Sequence, residues 1–127
     1  MKILQDIWII EKSGIVLFHR QYDNALPPQL FGAMMSALNH FAEQLTEGGL
    51  SNFDLQNTRF TLIKQGGLMF VAISSKKFKQ KKVNKELKKV SNKFINLYAD
   101  KLESFKGRLG VFDEFEKEIE DSIEKKS

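Results

Sequence analysis

Cysteine is absent from this 127-residue chain, which excludes disulfides, thiol nucleophiles and thiolate metal sites. Histidine is scarce: His19 and His40 are the only two, far apart, and no HxxxH-type pair is available to start a metal site. Long hydrophobic runs are missing as well. The longest, Leu68-Met69-Phe70-Val71-Ala72-Ile73, is strand-sized and far short of the roughly 20 apolar residues that cross a bilayer. Near the N-terminus, Gln5, Asp6 and Glu11 interrupt what a secretory signal would need as its apolar region. Phosphate-loop fingerprints are lacking too: there is no GxGxxG, and Lys12-Ser13-Gly14 has the residues of such a loop in the wrong order, between strands. These absences point to a cytoplasmic protein without cofactor or metal.

What is present organises itself along the chain. Hydrophobic residues make up 42% of the sequence, enough for one real core, so the expectation is a single domain over residues 1–127. Ile3 to Ile10 and Ile15 to Gln21 read as strands, joined by a turn at Ser13-Gly14 where glycine accepts positive φ. After Pro27-Pro28, Leu30, Phe31, Met34, Leu38, Phe41 and Leu45 recur at helical steps and predict an amphipathic helix buried along that stripe, ended by Gly48-Gly49. Three strands follow, at Phe53–Gln56, Arg59–Lys64 and Leu68–Ile73. The first and fifth strands are apolar on both faces, which marks them as central, and the third is an edge. A second helix buries Val83, Leu87, Val90, Phe94, Leu97 and Tyr98. Gly107 and Gly110 bracket a loop, and a last helix from about Val111 turns Phe112, Phe115, Ile119 and Ile123 inward. The result is an α+β fold with a five-stranded sheet in the order 2-1-5-4-3, topology β-β-α-β-β-β-α-α, with one helix on one face and two on the other.

Charge is unevenly spread. Residues 76–93 hold nine lysines against the single Glu86, a net of +8, whereas residues 111–124 hold seven acids against Lys117, a net of −6. Carboxylates outward from an amphipathic helix are its solvated side, and the early ones suit the helix dipole. Lys76, Lys77, Lys79, Lys81 and Lys82 lie before the second helix, and Lys85, Lys88, Lys89 and Lys93 extend the block along it. This patch, with Lys76, Lys77, Lys79, Lys81, Lys82, Lys85 and Lys89 at its centre, reads first as solvated surface and otherwise as a site for an anionic membrane, an acidic protein or, less expected, nucleic acid, for which only Phe78 is a possible stacking residue.

The element order, the Ile7-Trp8-Ile9-Ile10 strand, the Lys12-Ser13-Gly14 turn and Ile15-Val16-Leu17-Phe18-His19-Arg20 together resemble the longin domain. Phe70-Val71-Ala72 after a Gly-Gly turn, Phe94 to Tyr98 and Phe112 to Ile123 continue the likeness, which is especially close to stand-alone archaeal longin-like proteins. The roadblock family shares the sheet but carries a helix before its first strand. The resemblance implies a profilin-like scaffold, not an enzyme, that dimerises and binds small GTPases through the sheet edge and first helix in vesicle-trafficking systems. The end at Ser127, without coiled coil or anchor, leads to the expectation that a SNARE role is excluded.

Three residues are singled out for partner contact. Met34 and Met35 are adjacent on the first helix and cannot both face inward. The stripe places Met34 in the core and leaves Met35 for a partner. Phe53 and Leu55 are apolar on the edge strand, where unpaired backbone invites a homo- or hetero-dimer with another longin- or roadblock-type chain. Function then reads as a scaffold or regulator of small GTPases, peripheral to membrane if the lysines touch lipid. The alternative is a basic-surface protein binding anionic membrane or nucleic acid.

Overall fold

The structure is a computed structural model and describes residues 2–23, 26–103 and 112–124. Its elements are β1 (Leu4–Glu11), β2 (Val16–Arg20), α1 (Pro28–Leu45), β3 (Asn52–Asp54), β4 (Thr58–Gln65), β5 (Leu68–Ser75), α2 (Gln80–Glu103) and α3 (Phe115–Glu118). The strands form one antiparallel sheet in the order β2-β1-β5-β4-β3.

Side-chain alternation in the two central strands divides the core into two layers. Ile7 and Ile9 of β1, with Leu68, Phe70 and Ala72 of β5, meet Val83, Leu87, Val90, Phe94 and Tyr98 of α2 and then Phe112, Phe115, Ile119 and Ile123. Trp8 and Ile10, with Met69, Val71 and Ile73, point the other way and meet Phe31 and Met35 of α1. Because β1 and β5 are covered on both sides, their apolar runs are continuous, and this is what placed them in the centre.

Two expected elements come out differently. α1 is capped at Thr46, whose N–H donates to Ala42 O, while Gly48 and Gly49 (φ 88° and 68°) shape the loop beyond it. The last helix is one short turn, Phe115–Glu118, and not a run to Ile123. The segment after it continues through turns to Ser122 and then meets β1: Ile123 bridges Leu4 in parallel, Ser122 O accepts the N–H groups of Ile3 and Leu4, and Glu124 N–H donates to Leu4 O. Burial of Ile119 and Ile123 does not require the helix to continue, and the backbone groups of Ile3 and Leu4 gain hydrogen-bond partners from Ser122 and Glu124. The Gly107–Gly110 loop, Arg108 and the start at Val111 lie outside the described residues. On α2, Leu97 is half-exposed and not core, being at the margin of the buried face.

Candidate partner-binding surfaces

The rotation of α1 is set by a glycine contact. A Cβ on Gly32 would lie 2.2 Å from Gly14 O and 2.6 Å from Val16 Cγ2, so the helix backbone rests directly on the β1–β2 turn. Ser36 Oγ donates to Lys12 O at 2.6 Å and fixes the same approach. With Gly32 held there, Phe31 and Met35 face the sheet, and Phe31 stacks on Trp8 at 4.1 Å. Aromatic contacts continue from Phe31 to Phe60 and then to Phe53, which stacks on Phe60 at 4.4 Å and 12°.

This rotation overturns the expected burial of α1. Leu30, Met34, Phe41 and Leu45 are 57%, 59%, 62% and 73% exposed, and Leu38 is exposed beside them. Met35, expected at a partner surface, is buried in the core, while Met34 is outside. The physical reason is steric: only the side of the helix carrying Gly32 can approach the turn. The more apolar stripe is therefore left about 100° around the helix.

The two edges of the sheet differ. At β2 the side-chain amide of Gln29 acts as a strand partner: Val16 N–H donates to its Oε1 at 3.0 Å, and its Nε2 donates to Val16 O at 3.3 Å. At β3, Leu62 N–H donates to Ser51 O and Leu55 N–H to Thr58 O, so the backbone groups of Asn52 and Asp54 point away from β4. Among the described residues no strand lies beyond them. Phe53 is half-buried under Phe60, and Leu55, just past the strand, is exposed. The end of α1 lies near this edge: Leu50 N–H donates to Asn39 Oδ1, and Lys64 of β4 donates to Gly48 O.

The other flank of α1, with the β1–β2 and β4–β5 turns, borders an open groove of about 620 Å³ lined by Ser13, Ser36, His40, Lys64 and Gly67 among others. Among the described residues no group of His, Asp and Glu is placed to hold a metal. His19 stacks on Trp8 at 5.3 Å. Arg20 donates to the carbonyls of Gln5 and Glu124. Arg59 Nε donates to Asp54 at 3.0 Å, and its Nη1 to Phe78 O at 3.3 Å. The Arg59 hydrogen bond holds the Asp54 carboxyl below its ordinary range. Both arginines thus fasten corners of the fold.

The lysine block is exposed throughout, from Lys76 to Lys93. Lys76 lies 3.8 Å from Asp54 and Lys89 3.4 Å from Glu86. Lys88 donates to Gln65 and Lys93 to Glu118 O.

Residues 5–117 match the family of the first longin domain of FUZ, MON1 and HPS1. The chain belongs to this longin family. Its fold is similar to that of MglB from Myxococcus xanthus, with a TM-score of 0.63 at 12% identity over 76% of this chain and 85% of that one. The gliding protein MglB of Thermus thermophilus aligns at 16% identity over 64% and 67%, with a TM-score of 0.48. No curated protein matches the sequence. For this longin domain, sequence reasoning missed the Gly32–Gly14 contact, the Gln29 cap and the outward stripe. A usable signal was present in the small residues Gly32, Ala33, Ser36 and Ala37, which allow a helix to approach its neighbour closely.

Proposed function

We propose that this longin domain is a non-enzymatic interaction module. It pairs with a second copy, or with another longin- or roadblock-type chain, across the β3 edge and the apolar flank of α1. The pair engages a small GTPase in a membrane-trafficking-type system. The observation that carries this reading is the exposed stripe of Leu30, Met34, Phe41 and Leu45 on an otherwise ordinary surface helix. Covering the exposed half of such side chains yields about 1 kcal/mol each. Two copies together fall within the roughly 4–15 kcal/mol that association costs, so the main-chain bonds of β3 are needed to complete and orient the complex. Phe53 and Leu55 sit at that edge, and Leu55 is exposed enough to join the contact.

Scaffolding is favoured over activation. Of the three arginines, Arg20 and Arg59 are engaged in holding the fold and Arg108 lies outside the described residues, and phosphoryl transfer needs a phosphate cradle and metal that the described residues do not offer. Sedimentation velocity at micromolar concentration, followed by titration into candidate small GTPases in GDP- and GTP-analogue states, tests the reading. The expected result is a dimer, dissociated by Phe41→Asp, that binds one nucleotide state more tightly. A monomer that binds no GTPase in either state, or hydrolysis of GTP by the isolated chain, refutes it.

A further inference from the structure

Lys77, Lys79, Lys81, Lys82 and Lys85 form a cationic surface with no acidic partner among the described residues. All five are exposed, and residues 76–85 contain no acid. None of the five is in an ion pair among the described residues, whereas Lys76 and Lys89 are. Lys77 Nζ lies over the Phe78 ring at 5.1 Å. The first turn of α2 carries no acidic residue, so these charges stand unscreened at the positive end of a helix. That placement works against helix stability. The fold does not need these lysines.

We propose that this surface docks the protein peripherally on an anionic lipid bilayer. The charges run along one side of the first turns of α2 and the loop before it, and they line neither the groove beside α1 nor the smaller one at the β1–β2 turn. An exposed array of lysines outside a groove matches a plane of lipid phosphates and carboxylates. Nucleic acid fits less well. Residues 76–93 contain no arginine to grip a base edge or phosphate with two bonds, and Phe78, the one aromatic in the patch, is half-buried beneath Lys77. No helix among the described residues is long and apolar enough to cross a membrane, so the contact is with the surface. α2 and α1 cover opposite faces of the sheet, so a lipid-bound molecule still presents the apolar flank of α1 away from the membrane.

The test is co-sedimentation of the full chain with phosphatidylcholine vesicles containing about 30% phosphatidylserine, beside pure phosphatidylcholine vesicles. Binding is expected only to the anionic vesicles, and is lost when salt rises from about 0.1 to 0.5 M. Replacing Lys79, Lys81, Lys82 and Lys85 together by Gln lowers affinity several-hundredfold, at about fivefold per lysine (about 1 kcal/mol each). The same four positions changed to Arg retain binding, so a loss confined to the Gln variant reports charge and not folding. The proposal is overturned if the wild type ignores anionic vesicles, or if the folded Gln variant binds them as tightly. It is equally overturned if duplex DNA at matched phosphate concentration is bound in preference to the vesicles.

Discussion

Replacing Gly32 by Ala sets two effects of opposite sign against each other. On helix propensity alone, glycine to alanine inside α1 stabilises by about 1 kcal/mol. The added methyl, however, would sit 2.2 Å from Gly14 O and 2.6 Å from Val16 Cγ2. The first neighbour is backbone and cannot rotate away, so α1 must lift or the turn must shift. Overpacking of this kind costs about 3 kcal/mol, at the upper end of its range. The net expectation is a loss of about 2 kcal/mol, which in a chain of this size lowers Tm by roughly 6–10 °C. Trp8, the sole tryptophan, is fully buried and stacked on Phe31 of the same helix, so its emission should shift to the red as α1 moves. Gly48→Ala is the control. Nothing lies within 4 Å of its Cβ position, and only its φ of +88° resists a side chain, at about 1–2 kcal/mol. Its Trp8 emission should stay unchanged. A Gly32→Ala protein with raised or unaltered Tm would refute the claim that this contact sets the rotation of α1.

Gln29→Ala removes two hydrogen bonds from Val16 and should cost about 1–2 kcal/mol by urea titration. It should also add oligomers larger than the wild type's in sedimentation, because the β2 edge becomes available. Phe115→Ala should cost about 3–5 kcal/mol, since this fully buried ring contacts Phe18, Phe94 and Tyr98. Normal stability would mean that the Phe112–Ile123 segment is not part of the core. Burial holds the Asp6 carboxyl above the ordinary aspartate range, only partly offset by the Tyr22 N–H and Arg20. Its folded state therefore binds the proton more tightly, and the associated stability is present below the unfolded pKa and lost as pH rises through the folded one. Asp6→Asn should accordingly melt higher than wild type at neutral pH and about equally near pH 3. An equal change at both pH values would contradict this.

Much of the fold was legible because the sheet reports its own order. Strands apolar on both faces must be covered on both faces, and only β1 and β5 are written that way. The rotation of α1 was not legible from hydrophobicity, since the helix carries two candidate stripes and buries the less apolar one. Phe31 and Met35 go inward because Gly32 between them is small. That is a fact about the facing turn and not about α1. The end of the chain misled for a related reason. Phe112, Phe115, Ile119 and Ile123 are all buried as the spacing requires, but inward spacing does not reveal whether the backbone coils or pairs with Leu4. The exposure of the lysine block and the edge position of β3 followed from sequence. Of the partner residues, Met35 did not, because its neighbour Met34 took the outer place.

The Gln29 amide on Val16 has a consequence for how many molecules join. A sheet open at both edges can add a copy at each, and the additions need never stop. Here the Gln29 amide takes the outward N–H and C=O of Val16 at the start of β2, whereas the outward groups of Asn52 and Asp54 at β3 have no such cover among the described residues. Under the proposed pairing, β3 is therefore the edge that joins first, and a second addition at β2 meets a side chain already in place. One side chain at the start of α1 thus biases self-association towards a closed pair, and its loss should favour a longer array.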